Sequence, residues 1–317
     1  MRRHIVCASS TRRIVGDAVA CAPLQPSQRR CLSQSTDNGR ATTGAAAAPR
    51  FLKLSTSEDG ITTLQLARPS VNSLSVAFLG EINACLQHLS TAPATKAVIL
   101  SSAMPGVFSA GLDLSEVYNP EREQLEALWY ALQDMWIHLN SFPLPIVAAV
   151  TGSAPGGGCV MAMGCDYRVM ARGPKGTAGN KLYRLGLNEV QVGLGLPAWI
   201  AAAYEALMGQ RVAERLALMG DLLTADEAVQ VQLIDEVAAD EDAAMAAAHR
   251  QIQRFVTVPQ KARAMARATM RRKALQPLAT EQDRAMDTAR FVDSIMDPTV
   301  QKNVGEYLEH LKSRSRR

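Results

Sequence analysis

Past residue 50 the chain alternates between short apolar runs and helical spacings. Residues 51–54 and 60–66 flank Ser57-Glu58-Asp59-Gly60, which predicts a hairpin. Arg68-Pro69-Ser70-Val71-Asn72-Ser73 reads as a turn. Phe78, Leu79, Ile82, Leu86 and Leu89 recur at the steps of one helix face, which predicts a helix over 76–89. Residues 96–101 and 145–150 read as buried strands. Between them, 120–140 forms an amphipathic helix with Leu125, Leu128, Trp129, Leu132, Trp136 and Leu139 on its apolar side. The two tryptophans share that face and are read as core. A helix opens over 156–163, a strand follows at 167–171, and helices follow over 199–208 and 212–218. Thr224 and Glu227 make a capping box. A strand at 233–237 precedes helices over 241–257, 259–275 and 279–296. Strands alternating with helices, then helices alone, predict an α/β chain with a helical C-terminal part. The turn formers of 173–181 predict a mobile loop.

Charge is absent from 141 through 165, yet Pro143, Pro145, Pro155, Gly152, Gly156, Gly157 and Gly158 interrupt the stretch. A spanning helix needs about 20 mainly apolar residues with an intact backbone ladder. The stretch therefore reads as strand, glycine turn and helix start, and no membrane span is expected.

Composition changes this picture in one place. Of the 317 residues, 47% are hydrophobic and 20% charged, as in ordinary globular proteins. The net charge of +4 is concentrated at the start. Residues 1–50 hold eight Arg, no Lys and only Asp17 and Asp37 as acids, together with many Ser, Thr and Ala. That pattern fits an organellar transit segment, the plain alternative being a tail without an address. The remainder is nearly neutral, 26 basic against 28 acidic side chains, and lacks the basic footprint of a nucleic-acid binder. Cys85, Cys159 and Cys165 beyond the leader have no zinc-site spacing and read as reduced core filler. The five histidines are scattered, so neither a metal cluster nor a histidine triad is expected.

Two segments share a design suited to chemistry. Val107-Phe108-Ser109-Ala110-Gly111-Leu112-Asp113-Leu114 and Ser153-Ala154-Pro155-Gly156-Gly157-Gly158-Cys159 each follow a predicted strand. Glycine at such junctions lets backbone N–H groups approach a ligand, and a helix start leaves its N–H groups unpaired. One N–H from each segment would hold a carbonyl oxygen that turns negative during reaction. Neither segment is a P-loop or a dinucleotide fingerprint. Each alone is as well explained by close packing; together they point to a site.

With Phe108–Asp113, Ala154–Cys159, Cys165-Asp166-Tyr167-Arg168 and Gly186-Leu187-Asn188-Glu189, the chain from about Ile61 onward resembles the crotonase (enoyl-CoA hydratase/isomerase) superfamily. Residues 69–75, 105–114 and 186–191 most resemble its mitochondrial Δ3,Δ2-enoyl-CoA isomerase branch. The resemblance implies a spiral of ββα units over 51–250 and a C-terminal helical region over 251–317 that builds a homotrimer. It also implies an acyl-CoA substrate, no separate cofactor and a place in the mitochondrial matrix. Carried over, it places the oxyanion donors at Ala110 and Gly157, and lines the thioester site with Ala110, Gly111, Leu112, Asp113, Leu114 and Gly157. The turn over 68–74 would touch the CoA nucleotide. Glu189 falls at the position of the catalytic glutamate.

Two departures decide among family members. The hydratases' second glutamate, three residues past the oxyanion glycine, is here Val160, and the dienoyl isomerases' second acid, eight past the glutamate, is Pro197. One carboxylate remains, enough to shuttle a proton but without the usual machinery for adding water. The resemblance thus implies that Glu189 moves a proton from C2 to C4 of a 3-enoyl-CoA, giving 2-trans-enoyl-CoA, in β-oxidation of unsaturated fatty acids. Apolar Leu187, Val190, Val192 and Leu194 would raise its pKa toward a useful range for a base. Asp113 is read as a cap and Asp166 as structural. The basic run 261–273 is a solvated face, or a surface for CoA phosphates or RNA. Another crotonase-type enzyme such as a weak hydratase, or a non-catalytic CoA- or RNA-binding relative, are the competing readings.

Overall fold

The computed structural model describes residues 49–176 and 181–315. The transit-segment expectation, and part of the 173–181 loop, lie outside the described residues. From Ala48 onward the chain is one compact unit.

The main sheet comprises β1 (Leu52–Thr56), β2 (Ile61–Leu66), β3 (Ala97–Ser102), β5 (Ile146–Val150), β7 (Tyr167–Ala171) and β10 (Glu236–Ala238), in the order β1-β2-β3-β5-β7-β10. Only the β1–β2 pair, the expected hairpin, is antiparallel. The central strands β3, β5 and β7 are buried almost throughout, which is why they read as unbroken apolar runs. A second sheet, in the order β4-β6-β8-β9, joins β4 (Gly106–Val107), β6 (Gly152–Pro155), β8 (Arg184–Gly186) and β9 (Leu223–Thr224). It was not expected. Its strands are two to four residues long, too short for any periodicity to register.

Helices α1 (Val76–Thr91), α2 (Arg122–Ser141), α3 (Gly157–Met163), α4 (Ala198–Met208), α5 (Gln210–Met219) and α6 (Ala225–Gln230) alternate with the strands. Ser75 caps α1 and the expected Thr224–Glu227 capping box opens α6. The strand expected over 233–237 begins only at Glu236, because Leu233 and Ile234 are spent on a buried turn. Helix α7 (Glu241–Val256) packs across β3, β5 and β7. It therefore belongs to the α/β core and runs unbroken through the boundary expected at residue 250. Helices α8 (Gln260–Leu275), α9 (Glu281–Ile295) and α10 (Pro298–Ser315) complete the C-terminal part.

Trp129 and Trp136 are core, as read from their spacing. Trp129 stacks on Phe291 of α9, and both Trp129 and Trp199 donate to Asp287 Oδ2, at 2.8 and 3.0 Å. Cys85, Cys159 and Cys165 are free and buried.

The basic run of α8 is not a solvated face. Arg263, Arg267 and Arg271, four residues apart, turn inward together. Arg267 pairs with Asp166 and donates to Leu139 O, Asn140 O, Phe142 O and Gly164 O. Arg271 donates to Cys165 O at 2.6 Å and Gly164 O at 3.1 Å. Burial, with the neighbouring charge of Arg267, pushes its guanidinium down to about 10. These arginines satisfy carbonyls where α2 and α3 end, groups that a helix cannot pair internally. Asp166 is structural, as expected, and only Lys261, Arg272 and Lys273 of the run face solvent.

Candidate active site

Three neighbouring parallel strands deliver the site. Strand β4 pairs with β6 (Val107 opposite Ser153), and β6 pairs with β8 (Pro155 opposite Gly186). The segment after each strand therefore emerges on the same side: the 108–114 loop, the start of α3, and Asn188-Glu189. The two glycine segments meet closely. A Cβ at Gly111, whose φ is +82°, would stand 3.0 Å from Gly157 N. Only glycine permits both that backbone angle and that approach.

The loop is fixed by a short bridge to the turn at 68–74. Leu74 N–H donates to Gly111 O at 2.7 Å and Asp113 N–H to Leu74 O at 3.0 Å. Ala110 N–H, expected as an oxyanion donor, instead donates to Val71 O at 3.0 Å. Gly111 N–H donates to Ser109 Oγ at 3.3 Å. A bridge pairs alternate backbone groups, so it leaves Leu112 N–H pointing away from Leu74 and without an acceptor among the described residues. Gly157 N–H, at the first position of α3, has none either. The donor pair the structure brings together is thus Leu112 with Gly157, a correction to Ala110.

Asp113 is also corrected. It lies outside the cleft and caps no helix; its Oδ1 accepts from Ser115 N–H at 3.1 Å, closing a turn. Its Oδ2 pairs with Arg68 at 2.7 Å, tying the 68–74 turn to the oxyanion loop. Burial opposes the Asp113 charge, but the hydrogen bonds from Ser115 and Arg68 outweigh it and hold the carboxyl below its usual range.

Ala110, Gly111, Leu112, Leu114, Gly157 and Glu189 line one cleft of about 620 Å³. Glu189 opens a short 3-10 turn (Glu189–Val192) after β8. Its Oε1 lies 3.3 Å from where a Gly156 Cβ would stand, so this glycine makes room for the carboxyl. Its Oε2 is buried with no hydrogen-bond partner. Burial pushes the carboxyl up from 4.5 to about 7. Val160 is buried one turn into α3 and Pro197 precedes α4, so neither position supplies a second acid.

Val192 and Leu194, expected as apolar surroundings of Glu189, line the cleft with it. Asn188, and Val304 and Tyr307 of α10, were not expected as lining. Asn188 lies beside the glutamate in sequence and could have been found there. Val304 and Tyr307 lie over a hundred residues away, with no local signal.

Comparison with known proteins places this geometry. The family model "Enoyl-CoA hydratase/isomerase" matches residues 56–315. The chain is 37% identical over 253 residues to "Enoyl-CoA delta isomerase 1, mitochondrial" of Homo sapiens, covering 80% of each. It is 36% identical to the protein of that name from Rattus norvegicus, over 81% of this chain and 86% of that one. Among solved structures, human mitochondrial delta3-delta2-enoyl-CoA isomerase superposes with a TM-score of 0.78 at 35% identity, covering 84% of this chain and 99% of that one. An enoyl-CoA hydratase from Bacillus halodurans shares the fold, with a TM-score of 0.71 at 19% identity over 81% of this chain and 99% of that one. A glutamate facing two free N–H groups therefore sits on a crotonase fold, and the chain belongs to the enoyl-CoA hydratase/isomerase family.

Proposed function

We propose that the protein is a Δ3,Δ2-enoyl-CoA isomerase, with Glu189 as its single acid–base group. The observation that carries this is the lone carboxylate of the cleft facing two unpaired N–H groups. The thioester oxygen of a 3-enoyl-CoA accepts from Leu112 and Gly157 N–H, which acidifies the C2 proton. Glu189 Oε1 takes that proton, the C2–H pair becomes the C1–C2 double bond of a dienolate, and its oxygen gathers charge between the two donors. The Oε1–H proton then goes to C4, bound by the C3–C4 pair, as the C1–C2 double bond moves to C2–C3 and the carbonyl re-forms. Atoms balance without water, oxidant or cofactor beyond the CoA the substrate carries. Removing one donor of such a pair costs about 2.7–4 kcal/mol of barrier in enzymes where it has been measured.

Fatty-acid β-oxidation in the mitochondrial matrix is the setting, supported by the Arg-rich leader and by the mitochondrial names of the relatives. A homotrimer completes the reading. Exposed Met265 and Met270 on α8 are apolar surface that a subunit contact would cover.

The test gives the protein 3-enoyl-CoA and, separately, 2-enoyl-CoA in water. The expected result is 2-enoyl-CoA from the first and little 3-hydroxyacyl-CoA from the second. Glu189→Gln should lower isomerisation by about 10²–10⁴-fold. Rapid hydration, or a Gln variant with full activity, would overturn the reading.

A further inference from the structure

Asn188 is unaccounted for once base and donors are assigned. It lines the same cleft as Glu189. Consecutive side chains usually diverge, but the Asn188 backbone, at φ −116° and ψ 18°, lies near the sparsely used bridge region. Both side chains consequently converge over Gly156. From the point where a Gly156 Cβ would stand, Glu189 Oε1 is 3.3 Å away and Asn188 Oδ1 is 3.7 Å away.

Asparagine at a helix start commonly spends its side chain on the first turn. Here it makes no capping hydrogen bond, and its amide has no partner among the described residues. Its backbone is nevertheless pinned. Asn188 O accepts Gln191 N–H at 3.0 Å, and Gly220 backs onto its Cα, a Cβ there standing 3.3 Å away. The result is an unspent amide held beside the base.

A shuttling carboxyl must be held in two states. As a carboxylate it only accepts hydrogen bonds; once protonated on Oε1 it donates one. An amide serves both, because it carries an acceptor and a donor. Oδ1 accepts from the protonated Oε1, and a half-turn of the amide presents Nδ2 to the carboxylate. No hydrogen bond among the described residues opposes that half-turn. We propose that Asn188 is a positioning residue for Glu189, holding its Oε1 in both protonation states between proton removal at C2 and return at C4. The proton stays bonded to Oε1 until C4 takes it, so the amide exchanges none. This inference rests on the isomerase reading above.

The remaining groups around Glu189 do not supply such a partner. Cys159 of α3 and Tyr204 of α4 are buried, burial with the Glu189 charge pushes both up, and neither lines the cleft. Tyr307 of α10 lines the cleft. The charged side chains of α5 and of α10 near the cleft, Arg211, Glu214, Arg215, Lys302 and Glu306, are exposed.

The test compares Asn188→Leu, Asn188→Asp and Asn188→Ser with the wild type, reading kcat and KM for a 3-enoyl-CoA from pH 5 to 9. A hydrogen bond to a charge is stronger than one between neutral groups, so losing the amide disfavours the carboxylate more than the acid. The acid limb of kcat/KM should therefore move up by about one pH unit in the Leu variant, and at least as far in the Asp variant. In the Leu variant kcat should fall about tenfold or more, with KM within about threefold. Serine keeps a donor and an acceptor and should restore most of the wild-type pH profile. An NMR titration of the Glu189 carboxyl carbon, compared between wild type and the Ser and Leu variants, should show the same displacement without turnover. An unmoved acid limb and titration in the Leu and Asp variants, with the wild type isomerising, would overturn this inference alone. A wild type that does not isomerise would overturn the reading it rests on, and the inference with it.

Discussion

At the scale of single residues, the central fact is a carboxyl kept out of water beside two unpaired N–H groups. Glu189 titrates near 7 because burial penalises its charge. It works as a base only when ionised, so kcat/KM should fall as pH drops through about 7. The same shift bears on stability. Its folded pKa lies above the ordinary 4.5, so the folded protein binds the proton more tightly. The stability this gives is fully present below about 4.5 and is lost as pH rises through 7. Glu189→Gln removes the charge, so it should raise stability at pH 8 by at most about 3 kcal/mol. That gain should shrink to nothing near pH 4, as read by urea denaturation at both pH values. An equal gain at both would mean the carboxyl is not held against its charge. Gly157 and the 110–114 loop were legible in the sequence as two glycine segments that each follow a strand, and Glu189 through the family resemblance. The choice between Ala110 and Leu112 was not. It depends on the Leu74–Leu112 bridge, which pairs residues almost forty positions apart.

At the scale of elements, α8 shows why a charge run misleads when read as a block. Three of its arginines recur every fourth residue and point inward, while Lys261 before them and Arg272 and Lys273 after them face water. The spacing was visible, but inward-facing arginine has a purpose only if unpaired carbonyls await it, and those belong to α2 and α3. The long helices and central strands were legible because burial imposes its period on many residues. The second sheet was not, since its pairings are set by strands in other parts of the chain. Arg267→Ala would leave Asp166 and at least two carbonyls without this partner. Truncating one member of a buried ion pair costs about 3–5 kcal/mol. The expected loss in chemical denaturation is of that size, while Lys261→Ala should stay within about 0.5 kcal/mol. Equal, small effects would return the whole run to the solvated class.

At the scale of the whole chain, the cleft is a meeting of four segments: 110–117, 155–157, 188–194 and 304–307. The last of these depends on how α10 is held, and Gln301 is the clamp. Its Nε2 donates to Val117 O at 3.0 Å and Ile295 O at 2.8 Å, and its Oε1 accepts Asn119 N–H at 2.8 Å. One amide thus fastens α10 both to the loop after Leu114 and to the end of α9. Fully buried Val304 and half-buried Tyr307 follow within two turns and form part of the cleft wall. Gln301→Leu leaves two carbonyls and one N–H to find water, at about 1–3 kcal/mol for each group that stays buried. The rest of the core does not depend on those bonds, so the cost should appear as local opening of α10. Amide hydrogen exchange over 298–315 should quicken by about tenfold or more, while β3, β5 and β7 keep their protection. KM for the acyl-CoA should rise with it, because the wall that carries Val304 and Tyr307 is displaced for part of the time. Uniformly faster exchange across the sheet would instead mean that α10 and the core unfold as one unit, and the cleft would then be no easier to open than the protein itself.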